Sequence, residues 1–344
     1  MEILRKSFDA FYDAIKPAVF WATKKDPEKA HELFVNFCRF LHTLKLERIV
    51  LNNPSNKKSH EFKISNAAGF NKNGEIHPNV LKYLGFDRAV IGTVTYDEWK
   101  GNPRPRTKRF PETESLVNWM GLPGIGADRV AETVYFYGKH SMPLTVNIMA
   151  TPGKQGDELL RDLKDTVDEL KYLRNIDRFE LNVSCPNTHL DGKIDARNHY
   201  QSQLSQMLYV VFKSKHDYQS CDVKVSPDLD EAGIEQTVEV LSHYPARAVV
   251  TANTSTNHLP EFIPDSPGKG GASGNAVYPA SLRTQTKFYD EIHKRNLPLE
   301  LVACGGINSL KRAAERLAAG AEEIQIYTPL IFKGTKILRE FREM

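Results

Sequence analysis

Asn182-Val-Ser-Cys-Pro-Asn-Thr188 directly follows the strand-like Arg178-Phe-Glu-Leu181. An apolar strand that runs into asparagines, a cysteine and a proline places those groups at its C-terminal rim, where parallel α/β sheets and barrels build their active sites. Asn182 and Asn187 each offer a donor and an acceptor, and Cys185 offers a thiol whose thiolate is a nucleophile or a base. Taken singly, Asn, Ser and Pro are also ordinary turn residues. The surrounding chain decides between the two readings.

On either side of this stretch, short apolar runs alternate with helical patterns. Strands are expected near 64–69, 89–95, 144–148, 179–183, 223–225, 248–253, 299–303 and 324–326, with helices such as 157–173, 231–243, 282–294 and 310–319 between them. Strict alternation implies a parallel sheet, and eight units in roughly 280 residues fit a (β/α)8 TIM barrel better than a doubly wound sheet. Pattern alone leaves the open sheet available.

Composition bounds the function. The 344 residues are 40% hydrophobic and 26% charged, as in soluble globular proteins, and the net charge of +3 gives no ground for expecting nucleic acid. Cys38, Cys185, Cys221 and Cys304 lie far apart with no Cys-x-x-Cys pair, so neither a metal site nor a disulfide framework is expected, and a reducing compartment is. No apolar run is long enough to cross a membrane. Charges at Arg5, Lys6, Asp9, Asp13 and Lys16 interrupt the N-terminus, unlike a signal peptide.

Leu4, Phe8, Phe11, Tyr12, Ile15, Val19 and Phe20 recur at helical spacing, which predicts an amphipathic helix to about residue 22, kinked at Pro17. A second helix begins at Asp26-Pro-Glu-Lys-Ala-His31, with Asp26 as N-cap, Pro27 in the first position, and an apolar face of Ala30, Phe34, Phe37, Cys38, Leu41 and Leu44. Two such helices cannot form a core, so their apolar faces meet the main domain, each other or lipid. Asn52-Asn-Pro-Ser-Asn-Lys-Lys58 reads as the link, dividing the chain into a helical extension, 1–50, and a barrel, 51–344.

The strand ends carry further chemistry. Asn66-Ala-Ala-Gly-Phe-Asn-Lys-Asn-Gly-Glu75 follows the first strand: its small residues, Ala68 and Gly69 among them, let the backbone approach a flat ring, with Lys72 as a fixed cation. Then come Ile91-Gly-Thr-Val-Thr95, Gly101-Asn-Pro-Arg-Pro-Arg106 with Arg109 beyond it, Asn118-Trp-Met-Gly-Leu-Pro-Gly124, and Asn147-Ile-Met-Ala-Thr-Pro152. Lys224, between two valines of a buried strand, demands an anionic partner. Thr251-Ala-Asn-Thr254 adds an amide and hydroxyls. Gly270-Gly-Ala-Ser-Gly274 and Gly305-Gly-Ile-Asn-Ser309, each ahead of a helix, offer backbone N–H groups where barrels hold a phosphate, and Tyr327-Thr328 follows. No Gly-x-Gly-x-x-Gly follows the first strand, so a Rossmann nicotinamide site is not indicated.

From about 26 to 328, and in the same order, these motifs resemble the dihydroorotate dehydrogenases, flavoproteins that oxidise dihydroorotate to orotate in pyrimidine synthesis. The resemblance implies FMN as cofactor and Cys185 as the base that takes a proton from substrate C5 while a hydride passes from C6 to flavin N5. It implies a substrate site of Lys72, Asn118, Met120, Gly121, Leu122, Asn182, Asn187, Asn253 and Thr254. It assigns the flavin to Ala68, Gly69, Thr93, Asn147, Asn182, Lys224, Thr251, Gly271, Ser273, Gly274, Gly305, Gly306, Tyr327 and Thr328. The Asp26-Pro-Glu-Lys-Ala-His31 segment is similar to the N-terminal extension of the membrane-associated, quinone-using class, whose two helices form an apolar tunnel. Arg109 and Tyr327 then line its inner end, and Lys16, Lys24 and Lys25 face anionic headgroups on the cytoplasmic side of the inner membrane.

The chain departs from the family pattern in several places. Asn71 stands where the family usually has Asp, Ala303 opens its Gly-x-Gly-Gly, Met149-Ala150-Thr151 replaces the usual Gly-Lys-Asn, and His-Leu-Asp-Gly follows Thr188 in place of Pro-Gly-Leu-Arg. Cys185 and Leu122-Pro123 are closer to the soluble class. Three other readings follow: a cytoplasmic, soluble-type enzyme using fumarate or another acceptor, a related FMN barrel acting on another pyrimidine, and a non-enzymatic module that binds membrane surfaces.

Overall fold

The computed structural model describes residues 2–51, 62–183 and 196–344. Three helices come first: α1 (Glu2–Ala22), α2 (Glu28–Thr43) and the short α3 (Glu47–Val50). The barrel then runs through β1 (Lys63–Asn66), α4 (Pro78–Leu84), β2 (Ala89–Val94), β3 (Thr107–Phe110), β4 (Ser115–Asn118), α5 (Ala127–Tyr135), β5 (Leu144–Ile148) and α6 (Gly156–Leu170). It continues with β6 (Ile176–Asn182), α7 (Ala196–Ser214), β7 (Ser220–Val225), α8 (Glu231–Leu241), β8 (Ala248–Thr251), β9 (Gly271–Gly274) and α9 (Tyr278–Lys294). The last elements are β10 (Glu300–Cys304), α10 (Leu310–Ala318), β11 (Ala321–Ile326), α11 (Thr328–Lys333) and α12 (Lys336–Arg342).

Eight strands form one parallel sheet in the order β1-β11-β10-β8-β7-β6-β5-β2. Bridges Ser65–Arg88 and Asn71–Ile91, also parallel, bring β2 back against β1 and close the ring. The barrel expected from the sequence is therefore the fold, and the open sheet is excluded. All eight expected strands are present because each is buried on both faces, as β2 and β5 are throughout, and so reads as an apolar run.

A second sheet escaped the sequence reading. β4 pairs antiparallel with both β3 and β9, placing Asn118 opposite Thr107 and Gly271. Gly271–Gly274 is thus a strand followed by a 3₁₀ turn, Asn275–Val277, and not a loop leading straight into a helix. Its glycine-rich composition hides it from any strand signal.

Inside the barrel, strands β6, β7 and β11 stack two polar layers, because residues two apart point the same way. In the lower layer Arg178 pairs with Glu323 at 2.8 Å and Asp222 at 3.4 Å, and Arg247 pairs with Asp222 at 2.6 Å. Ser65 donates to Glu323 at 2.7 Å. Burial alone would raise Glu323, yet Arg178 and the Ser65 hydroxyl outweigh it and hold the carboxyl below its ordinary range. The layer above consists of Glu180, Lys224 and Gln325.

The helical extension is docked on the barrel. Val35, Cys38 and Leu41 of α2 are buried in the same apolar cluster as Ile64, Phe70 and Leu81, so of the three surfaces open to this helix it meets the main domain. Two local expectations fail. Pro27 occupies the cap position without a side-chain bond, because the Asp26 carboxylate instead pairs with Arg104 at 2.9 Å. Lys16 turns inward to donate to the Phe332 carbonyl at 2.8 Å, leaving Lys24 and Lys25 exposed. Helix α1 continues through Pro17. A bidentate pair of Arg106 with Glu28, at 2.9 and 3.0 Å, ties α2 to the loop after β2. The linker at 52–58 lies outside the described residues.

Candidate active site

One cavity of about 800 Å³ extends from the C-terminal rim of the barrel to the underside of α1 and α2. Strand register brings its floor together: Asn147 lies beside Glu180, and Asn182 beside Lys224. Asn182, 3% exposed, accepts from Asn253 Nδ2 at 3.2 Å and approaches the Thr93 hydroxyl at 3.5 Å. Lys72 donates to the Thr93 carbonyl at 2.9 Å. Asn118 at the end of β4 donates to the Gly271 carbonyl at 3.3 Å, so the small sheet supplies one wall.

Lys224 is the buried cation of the floor. Its Nζ lies 3.2 Å from Gln325 Oε1 and 3.6 Å from Glu180 Oε1. Burial pushes this amine down, but the neighbouring Cys304 and Glu180 more than compensate and raise it above its usual value. The anionic partner that a lysine in a buried strand requires is therefore supplied within the protein, by Glu180. That carboxylate also accepts from Asn147 Nδ2 at 2.7 Å and from Gln325 Nε2 at 2.6 Å.

On the far wall, Thr328 donates to Ser273 at 2.9 Å, beside the glycines at 274, 305 and 306. Gly306 has φ of +70°, and a Cβ there would lie 2.6 Å from that of Tyr278, so only glycine fits this approach of the two loops. Arg316, fully buried, fixes the loops from below: it donates to the carbonyls of Thr251, Cys304 and Gly305 and to Ser281 Oγ. Burial lowers its pKa to about 10.

Toward the extension the lining changes character. His31, Phe70 and Tyr327 pack as a ring cluster with centroids 5.5 to 5.9 Å apart. Burial holds the His31 imidazole below its ordinary pKa, in its neutral form. Arg109 of β3 stacks 4.2 Å from the Phe20 ring and donates Nη2 to Thr23 Oγ1 at 2.8 Å and to the Phe20 carbonyl at 3.1 Å. Its Nη1 is buried and has no hydrogen-bond partner among the described residues. Tyr12 stands nearby with its hydroxyl on the Leu330 and Ile331 carbonyls, its pKa pushed up to about 12, chiefly by burial.

The structure gathers most of the expected site residues around this cavity: Lys72, Asn118, Met120, Gly121, Leu122, Asn182, Asn253 and Thr254, then Ala68, Gly69, Thr93, Lys224, Ser273, Gly274, Gly305, Gly306, Tyr327, Thr328 and Arg109. Three lie behind the wall. Asn147 turns its amide to Glu180, Thr251 gives its carbonyl to Arg316, and Gly271 sits in the ladder of β4 and β9. Cys185 and Asn187 fall outside the described residues. Glu180, Gln325, His31 and Arg316 were not singled out from sequence. For Glu180 a signal existed, a carboxylate on the same strand face as Asn182.

A family profile described as dihydroorotate dehydrogenase matches residues 55–343. A dihydroorotate dehydrogenase (quinone) of Natronomonas pharaonis is 31% identical to this chain over 340 residues, covering 96% of it and 92% of its own length. The Escherichia coli enzyme of that description is 30% identical over 351 residues, with 96% and 98% covered. The fold is similar to that of crystalline DHODH from Eimeria tenella in complex with ferulenol, with a TM-score of 0.78 at 22% identity, over 92% of this chain and 90% of that one.

Proposed function

Because this chain belongs to the dihydroorotate dehydrogenase family, we propose that it oxidises dihydroorotate to orotate in pyrimidine synthesis, with FMN as cofactor and a quinone as electron acceptor. The observation that carries the reading is the single cavity joining the strand-end asparagines to the unpartnered guanidinium nitrogen of Arg109.

The donor set fits each ligand in its place. Asn118, Asn182, Asn253 and Thr254 present amides and a hydroxyl to a ring rich in C=O and N–H groups, and Lys72 supplies the cation for its carboxylate. The floor of Lys224, Gln325 and Thr93, the small residues Ala68 and Gly69, and the hydroxyls of Ser273 and Thr328 beside the glycine loops suit a flavin ring and its phosphate. When bound, the flavin supplies two-electron redox chemistry between the donor and the acceptor. Cys185 removes the proton at substrate C5, general-base help worth about 10² to 10⁴ in rate. The asparagines would orient the substrate ring, and Glu180 and Gln325 hold the Lys224 ammonium in place at the cavity floor, where it would meet the cofactor.

Arg109 Nη1, on the guanidinium stacked against Phe20, would donate to a quinone carbonyl. Residues 1–50 form the entry to this end. Phe11, Trp21, Leu33 and Phe40 leave large apolar surface exposed on α1 and α2, Trp21 at 82%, and Lys24 and Lys25 lie exposed nearby. That composition suits peripheral contact with an anionic membrane surface. No helix among the described residues is long and apolar enough to cross a membrane.

The test is anaerobic mixing of the purified yellow protein with dihydroorotate, followed by a short-chain quinone or fumarate. Flavin absorbance should bleach and return with quinone alone. Return with fumarate alone would move the chain to the soluble-type reading, and absence of bleaching would remove dihydroorotate as substrate.

A further inference from the structure

The carboxylate of Glu180 stands out among the buried groups that the reaction itself does not use. It is fully buried, sits on the same face of β6 as Asn182, and contacts donors from three other strands: Asn147 of β5, Lys224 of β7 and Gln325 of β11. Of these four residues, Lys224 and Gln325 line the cavity, while Asn147 and Glu180 stand behind them. Gln325 completes a closed ring, giving its N–H to Glu180 and its carbonyl to Lys224.

The lower layer does not need this carboxylate. There Arg178 and Arg247 are matched by Asp222 and Glu323, with Glu300 also paired to Arg247. In the upper layer the ammonium of Lys224 and the carboxylate of Glu180 cancel. A ligand placed on Lys224 therefore meets an ammonium whose charge is already countered from behind.

We propose that Glu180 sets the electrostatic potential of the cofactor floor, so that bound FMN is held at a lower midpoint potential than the Lys224 ammonium alone would give. The inference rests on the reading of the cavity as a flavin site. The physical reason is that reduction adds negative charge to the ring. An uncompensated cation below the ring would favour the reduced form more than the oxidised one, and a buried carboxylate 3.6 Å from that cation cancels most of the preference in a low-dielectric interior. Glu180 touches neither substrate nor ring and acts through Lys224, so it is a positioning residue. Its contact with Asn147 and Gln325 also fixes the amide orientation of both.

The experiment is spectroelectrochemical titration of the holoprotein, wild type against Glu180→Gln and Glu180→Met. Both variants remove the charge. The first keeps the polar shape, and the second avoids any amide clash with Gln325, so that a folding defect peculiar to one does not decide the result. The preference for reduced over oxidised FMN should rise at least tenfold, which for a two-electron couple is an upward shift of about 30 mV. A potential unchanged or lowered in the variants, with FMN bound normally, would overturn the role of Glu180 and leave the flavin reading intact. Wild-type protein that takes up no FMN would overturn both.

Discussion

The two ends of the cavity solve opposite problems. At the floor, Asn253 with Asn182, Lys224 with Gln325 and Gln325 with Glu180 form hydrogen bonds of 2.6 to 3.2 Å, and the ion pair of Lys224 and Glu180 at 3.6 Å balances the charge inside the protein. At the outer end Arg109 is pinned through one nitrogen and stacked on the Phe20 ring, while its other terminal nitrogen stays buried and unpartnered among the described residues. A network cross-linked in this way is preorganised and presents fixed donors to a polar ring with little rearrangement. An unsatisfied donor at the apolar end suits a hydrophobic body that carries a carbonyl, because leaving such a donor unpaired is costly. The proposed function accordingly assigns the electron donor to the first end and the acceptor to the second.

The largest break in this comparison should come at Cys185. Cys185→Ala is expected to slow bleaching by dihydroorotate about 10² to 10⁴-fold while quinone-driven return of absorbance keeps its rate, as followed by stopped-flow without and with quinone. Cys185→Ser should be slow near neutrality and recover in alkali, since an alcohol is a far weaker acid than a thiol. Bleaching of the Ala variant at the wild-type rate would leave the thiol as packing.

A comparable energy, but on the scaffold, is expected for Arg178→Met. It leaves Asp222 and Glu323 short of a buried cation and should cost about 3–5 kcal/mol in urea unfolding, without changing FMN affinity in the folded protein. Loss of affinity beyond loss of fold would mean that the two polar layers act as one.

A smaller effect lies at the seam between extension and barrel. His77 accepts from the Asn79 N–H through Nδ1 and lies 2.9 Å from the Tyr137 carbonyl through Nε2, while its ring stacks 3.7 Å from His42. Burial holds its pKa below the ordinary 6.5, with His42 and His140 adding to the effect against Tyr137 and Glu47. Below about pH 6.5 the unfolded chain binds more protons than the folded one, so stability should be full above that pH and fall as pH drops below it. His77→Asn keeps a side-chain acceptor for the N-cap and should flatten this slope. An unchanged slope would assign it to His31 or His140, which burial also lowers.

On the outer surface, Lys24→Glu with Lys25→Glu should weaken binding to anionic vesicles by about 1 kcal/mol per residue or more, measured by co-sedimentation, with turnover of a soluble short-chain quinone unaltered. Unchanged sedimentation would move membrane contact away from α1 and its connection to α2.

The barrel was legible because its strands are buried on both faces and its helices are amphipathic, so both periods survive in the sequence. The sheet of β3, β4 and β9 was not. Thr107-Lys-Arg-Phe110 and Gly271-Ala-Ser-Gly274 owe their strand state to pairing across the chain, which no local pattern records. In the site, the motifs at Asn66, Asn118, Asn182 and Thr251 pointed to residues that do gather, since each ends or follows a strand at the same rim. Glu180 was hidden inside a strand read as apolar, so the sequence shows that Lys224 needs an anionic partner without showing that the neighbouring strand carries it. Asp26 reads as an N-cap in any local scheme, and only the tertiary position of Arg104 redirects it.

The division of the cavity is tested most directly by measuring both half-reactions in Arg109→Met. Reduction by dihydroorotate should proceed at the wild-type rate, and reoxidation by a short-chain quinone should slow about tenfold or more, the size of one lost charge-assisted hydrogen bond. Equal slowing of both halves would contradict the account, because Arg109 would then be a strut holding α1 against β3 and not the donor that meets the acceptor.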